Sequence, residues 1–224
     1  NNDMPYTQFV REQLAGDEIP NRTEQSLIAT GLIRAGTWND EPNDPADYLY
    51  TRLEDMVHTT TSAFIGLTVK CARCHDHKFD PILQSDYYRI ASFFWAGPIG
   101  QENQGGPSKE LFGSNVYGWT DLNANPKPIR LLHQGERHKP GPEITPGFLS
   151  AIPALDKPLS PPPPNSKTTQ RRLQFAHWIT SPKNPLTARV LVNRIWQNHF
   201  SEGLVRTPNN LGFKSAPPNN PELL

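Results

Sequence analysis

The chemistry open to this chain is concentrated in Cys71-Ala72-Arg73-Cys74-His75, which holds both of its cysteines. Two thiols three residues apart face one side of a helical turn. There both can add to the vinyl groups of one porphyrin, and the histidine that follows falls beneath the ring as an iron ligand. Cys-x-x-Cys-His is the attachment pattern of c-type haem for this reason. Chance is a weak rival, since two cysteines at this spacing followed by histidine arise ~3 times in 10,000. Other uses of the pair stay open. A dithiol or disulfide redox site needs the same spacing. A zinc site would take Cys71, Cys74 and His75 or His77, although the usual second ligand pair is missing.

On the haem reading, Cys71 and Cys74 are thioether anchors and His75 is the proximal iron ligand. Met56 and His58, upstream on a helical stretch, are the candidates for the sixth position, where a thioether would raise the potential relative to a second imidazole. A methionine on a helical stripe also suits a plain core. A water-bound sixth site would instead permit small-molecule chemistry. His77 reads as a supporting or surface residue, and Asp76, Lys78 and Asp80 as a solvated turn. Phe64, Leu67, Phe79, Tyr87, Tyr88, Phe93 and Phe94 are candidate walls for the apolar surround that a haem requires.

Several helices must position these residues. Residues 5–15 carry Phe9, Val10 and Leu14 and stop at Gly16. Thr23 caps a helix with Leu27, Ile28 and Leu32. Asp44-Pro45 is an N-cap followed by proline at the first helical position. Beyond it, Leu49, Leu53 and Val57 recur four apart with Met56 beside them, the helical period. Ser85 is expected to cap a helix bearing Tyr87, Ile90, Ala91 and Phe94 that ends at Gly97-Pro98. Residues 97–128 read as a long surface loop, 129–133 as extended, and Pro161–Pro164 as a polyproline spacer. Two further helices follow. One carries Leu173, Phe175, Ala176 and Ile179. The other opens at Asn184-Pro185, shows Val192, Trp196 and Phe200 on one side, and closes at Gly203. His177, Trp178, Asn193, Arg194, Trp196, His199 and Arg206 concentrate here. No nucleophile, carboxylate pair or phosphate loop accompanies them, so they read as an amphipathic helix with an arginine bridging backbone carbonyls.

Composition agrees. The 24 Pro and 15 Gly make about 17 % of the chain against an average of ~12 %, which predicts long irregular connections. With 22 basic and 22 acidic side chains, there is no basic stripe for phosphates, which argues against nucleic acid as a partner. No apolar run approaches the ~20 residues of a membrane span. Two cysteines exclude a disulfide-stapled scaffold. The expected fold is mainly α, with long Pro/Gly-rich connections and a small β element near residues 128–134.

The wider segment Gly66-Leu67-Thr68-Val69-Lys70-Cys71-Ala72-Arg73-Cys74-His75-Asp76-His77-Lys78-Phe79-Asp80-Pro81-Ile82, with Asp86-Tyr87-Tyr88, resembles the planctomycete-type cytochrome c family. Those are large exported bacterial proteins built from uncharacterised domains around this motif. The start, Asp3-Met4-Pro5-Tyr6 with Gln8-Phe9-Val10-Arg11-Glu12-Gln13-Leu14-Ala15-Gly16-Asp17, resembles the middle of the family's cytochrome-like domain. Asn184-Pro185-Leu186-Thr187-Ala188-Arg189, Asn193-Arg194-Ile195-Trp196, Phe200, Gly203-Leu204-Val205 and Pro221-Glu222-Leu223-Leu224 resemble the opening of the partner domain. Gly135-Glu136, Pro140-Gly141 and Pro146-Gly147 resemble the joint. One departure is Lys70, where the family commonly has glycine. The chain thus reads as a stretch of a longer protein, without a signal peptide of its own. Residues 1–98 would be the cytochrome c-like domain, 99–165 a connecting region and 166–224 the start of the partner domain.

The resemblance implies one covalent haem c and electron transfer in the periplasm or at the cell surface, with a redox protein or small electron carrier as partner. Two alternatives belong to other classes. One is a haem enzyme with an open sixth iron position. The other is a structural module of a surface polysaccharide-processing assembly, with zinc or a disulfide at the cysteine pair.

Overall fold

The computed structural model describes residues 3–36, 39, 41–99 and 118–224. Helix α1 is Tyr6–Ala15, with Val10 and Leu14 fully buried and Phe9 exposed. Thr23 caps α2, Glu24–Ala29, by accepting from the Ser26 amide at 3.2 Å. Where one helix was expected, the chain breaks at Thr30 and resumes as α3, Gly31–Arg34. The Thr30 hydroxyl donates to Leu27 O at 2.7 Å, and this local bond competes with helix continuation.

The longest helix, α4, is Pro45–Ile65. Asp44 caps it, accepting from the Ala46 and Asp47 amides at 2.9 and 3.2 Å. Of the expected stripe, Leu53, Met56 and Val57 are buried and Leu49 is half-buried. Its end is Gly66 in the left-handed conformation, φ 62. Helix α5 is Gln84–Ala91. Ser85 is not its cap. The Asp86 carboxylate reaches back to the Leu83 amide at 3.1 Å and caps the helix from inside its first turn. The helix also stops before Gly97. Residues 92–96 follow as turns, with Phe93 and Phe94 fully buried. Of the loop expected over 97–128, residues 100–117 lie outside the described residues.

The β element is an antiparallel pair: β1, Arg130–Leu132, and β2, Pro140–Glu143, in the register Arg130↔Glu143 and Leu132↔Pro140. The polyproline segment is pinned at its start, where Ser160 N donates to Gln174 Oε1 at 2.8 Å and Gln174 Nε2 donates to Ser160 O at 3.0 Å. Helix α6, Arg171–Ile179, packs against α1. Its Phe175 stacks on Phe93 at 4.5 Å, and Phe148 stacks on Trp178 at 5.6 Å. One core therefore takes side chains from α1 through α6.

Helix α7 is Thr187–Phe200. Its expected stripe faces the other way. Val192, Ile195 and Phe200 are exposed, and Thr187, Val190 and Asn193 are buried. The polar Asn193 is inside because it closes a reciprocal pair with Val205, accepting from its amide at 2.8 Å and donating to its carbonyl at 2.9 Å. Ser201, left-handed at φ 69, ends the helix in place of Gly203. No helix among the described residues is long and apolar enough to cross a membrane.

Candidate functional site

The motif follows the end of α4. After Gly66, residues Val69–Ala72 form a 3-10 turn, not an α-helix. At three residues per turn, positions i and i+3 eclipse. Val69 and Ala72 thus point inward and are fully buried. Cys71 and Cys74 are both exposed free thiols. The expected helical turn is a 3-10 turn that ends before Cys74.

His75 and Asp76 continue the exposed surface. His75 Nδ1 lies 2.6 Å from Asp76 O. A carbonyl only accepts, so Nδ1 is the donor in this contact. A ring nitrogen held on a backbone carbonyl is how ligating imidazoles are commonly oriented.

Beneath the thiols, Arg73 points back into the protein. It bonds Glu54 at 2.6 Å and Gly135 O at 3.3 Å. Burial opposes the Arg73 charge, but the bond to Glu54, with Tyr87 and Tyr88 nearby, leaves its pKa above the ordinary value. Gln84 Nε2 donates to Arg73 O and Leu132 O, both at 2.9 Å, and the Gln84 amide donates to Asp76 Oδ1 at 2.7 Å. The Tyr88 hydroxyl donates to Arg73 O at 3.2 Å. Burial pushes the Tyr88 phenol up to about 12, against a smaller lowering by a backbone bond and Arg73. Tyr87 is raised further, again by burial. Both floor the motif as neutral phenols. Gly135, at φ 73, sits against the second thiol, and a Cβ there would lie 2.6 Å from Cys74 Sγ.

His77 is committed elsewhere. Its Nδ1 accepts from the Asp80 and Phe79 amides at 2.9 and 3.3 Å, and Nε2 meets Thr68 Oγ1 at 3.2 Å. Both nitrogens organise the loop. Among the described residues, no group of three or more His, Cys, Asp or Glu is placed to hold a metal ion.

The two sixth-ligand candidates are differently placed. Met56 is inside the core at 3 % exposure. His58 is half-buried, with Nδ1 3.0 Å from Ser62 Oγ, and lines a groove of about 600 Å³ together with Lys70, the neighbour of Cys71. Burial first, then Lys70, holds the His58 pKa below the ordinary value, so the ring is neutral near pH 7. Asp44, Asp47, Glu54 and Asp55 also line the groove, with Arg52 among them. Of the candidate apolar walls, Phe64, Tyr87, Tyr88, Phe93 and Phe94 are buried, while Phe79 is 46 % exposed.

Two exposed free thiols followed by an exposed imidazole held on a backbone carbonyl are the donor set that a haem held by two thioethers and one histidine would need. Sequence reasoning missed Gln84, which carries no local signal, and the contact of Gly135 with Cys74, which depends on tertiary placement.

Residues 1–97 match the family model PSCyt2, a protein of unknown function (DUF1549), and residues 171–224 match PSD1, a protein of unknown function (DUF1553). The pairing is the one that the motifs at the two ends of the chain suggest. No curated protein and no solved structure gives a significant match.

Proposed function

We propose that this chain holds one covalent haem c at Cys71, Cys74 and His75 and passes single electrons outside the cytoplasm. The observation that carries the reading is the exposed run of two free thiols and an imidazole whose Nδ1 is bonded to Asp76 O. Bound there, the haem would supply one-electron iron chemistry at a potential tuned by its axial ligands and its burial. The chain's own residues do the rest. The thiols would fix the ring, and the Asp76 carbonyl orients His75. Gln84 and Tyr88 hold Arg73 O, and with it the backbone between the two thiols. Of the sixth-ligand candidates, the reading favours His58, because it is neutral and shares a groove with Lys70. Met56 would have to leave the core.

Placement in the periplasm or at the cell surface follows from the resemblance to exported proteins, and the PSCyt2 name hints at a cytochrome. The partner would be a redox protein or a small electron carrier.

The reading is tested by producing the chain with export and haem-maturation machinery, beside Cys71→Ser, Cys74→Ser and His75→Ala. The parent should bind haem that survives denaturation. The serine variants should each lose one thioether, and the alanine variant its proximal-histidine spectrum. Haem that is extracted equally from the parent and the serine variants would overturn the reading.

A further inference from the structure

Residues far along the chain close on both flanks of the cysteine motif. On the leading flank, Arg194 of α7 bonds the last carbonyls of α4. It donates to Ala63 O and, at 2.8 Å, to Ser62 O. The same guanidinium donates to Asn209 Oδ1 at 3.0 Å. Leu211 N then donates to Gly66 O at 2.7 Å. The fit is close, because a Cβ on Gly66 would lie 2.8 Å from both Leu211 and Val190. The carbonyls that a helix end leaves without partners are thus satisfied from a distant segment.

On the trailing flank, Phe213 N donates to Asp80 Oδ1 at 2.7 Å. Gly212 sits so close to the Asp80 carboxylate that a Cβ there would overlap its oxygens. Asp80 is itself buried, 3.5 Å from His77 Nδ1. Lys214 Nζ lies 4.7 Å from the centre of the Phe79 ring. The strap from Asn209 to Lys214 therefore grips residues 62–66 before the motif and 79–80 after it, and Cys71–His75 lie between the two grips.

We propose that this strap, with Arg194, is the positioning element of the cysteine motif and sets the mutual placement of the two thiols and the His75 imidazole. A chain segment fixed at both ends samples fewer conformations than one fixed at a single end. The structural part of the proposal stands without haem. Its consequence for the cofactor rests on the function proposed above. It also gives the two matched regions a reason to share one chain, since 171–224 would complete a site carried by 1–97.

The test uses Gly212→Val, which alters the strap and leaves the motif untouched, and Asp80→Asn, which keeps an acceptor for Phe213 N. In the haem-free full chain, the disulfide equilibrium of Cys71 and Cys74 against glutathione reads how the thiols are placed. Hydrogen exchange at Leu67 and His77 reads the two flanks. Gly212→Val should shift the thiol equilibrium and speed both amides by about 5-fold or more, the equivalent of one lost hydrogen bond. Amides of α6 should stay protected, and Asp80→Asn should stay close to the parent. Should Gly212→Val fail to fold, Arg194→Gln carries the same readouts.

A folded strap variant within about 2-fold of the parent on both readouts overturns the proposal. A parent that takes no haem, with a thiol pair that still responds, keeps the strap and removes the haem reading. A haem-loaded parent with an unresponsive thiol pair does the reverse.

Discussion

Substituting Glu18 by glutamine should remove a pH dependence that the buried charge cluster imposes. Arg172 on α6 meets three carboxylates, and all four side chains are at most 1 % exposed. Asp17 takes the guanidinium fork with two bonds of 2.7 Å. Asp121 Oδ1 lies 3.3 Å from Nε, while its Oδ2 accepts from the Thr169 amide and hydroxyl. Glu18 Oε1 is 3.3 Å from the guanidinium, and Oε2 accepts from the Leu173 amide at 2.8 Å. Arg171 is the other cation near Asp121 and Glu18. One fully buried guanidinium does not neutralise three carboxylates in a dry site, so a proton is retained. Burial first, opposed by Arg172 and reinforced by Asp121 and Asp17, raises Glu18 to about 8 from 4.5.

The folded protein thus holds a proton that the unfolded chain releases at acidic pH. The resulting stability is full below about pH 4.5 and is lost as pH rises toward and through about 8. At ~1.4 kcal/mol per unit, the loss across that window is on the order of 5 kcal/mol. Glu18→Gln keeps an acceptor for Leu173 N and does not titrate. Urea unfolding of both proteins between pH 4.5 and 9 should give a difference curve that rises toward high pH in favour of the variant. Parallel curves would refute the charge count. Arg172→Met is the complementary change. It leaves three carboxylates without their cation, which costs about 3–5 kcal/mol, or ~6–20 °C of melting temperature at this size.

Three further outcomes are expected. Gly135→Ala places a Cβ 2.6 Å from Cys74 Sγ at a positive φ. It should cost about 1–3 kcal/mol in thermal unfolding and change the alkylation rate of Cys74, and an unaltered rate would count against the contact. Gly97→Ala drives a Cβ into the Trp119 indole. It should cost about 1–3 kcal/mol and shift tryptophan fluorescence, and a parent-like spectrum would contradict it. His77→Ala removes the acceptor of the Phe79 and Asp80 amides. It should destabilise by about 1–3 kcal/mol while leaving haem attachment intact, and loss of attachment would make His77 more than a loop organiser.

Local chemistry was legible and tertiary satisfaction was not. The Thr23 and Asp44-Pro45 caps, the α4 stripe and the outward pair of thiols all depend on residues within one turn, so spacing revealed them. Ser85 misled because it has cap chemistry, while Asp86 one residue later performs the capping. The face of α7 misled because its apolar residues face solvent, and the buried face is held by Asn193 and Arg194 through bonds to distant backbone. The expectation of an arginine bridging carbonyls was met at Ser62 and Ala63. Strand β2 was hidden by its own prolines, Pro140 and Pro142, which lack donors and are tolerated on an edge. Asp17, Glu18 and Asp121 lie far from Arg172 in sequence, and no periodicity joins them.

Covalent haem at Cys71 and Cys74, as proposed above, would add a fixed mass to the chain. The most direct measurement is the intact mass of the chain after production with export and haem-maturation machinery, read beside its pyridine haemochrome spectrum. The expected result is the mass of one added haem, retained after denaturation, with a sharp reduced α band. A colourless protein at the unmodified mass, beside a control cytochrome that matures normally, would contradict it.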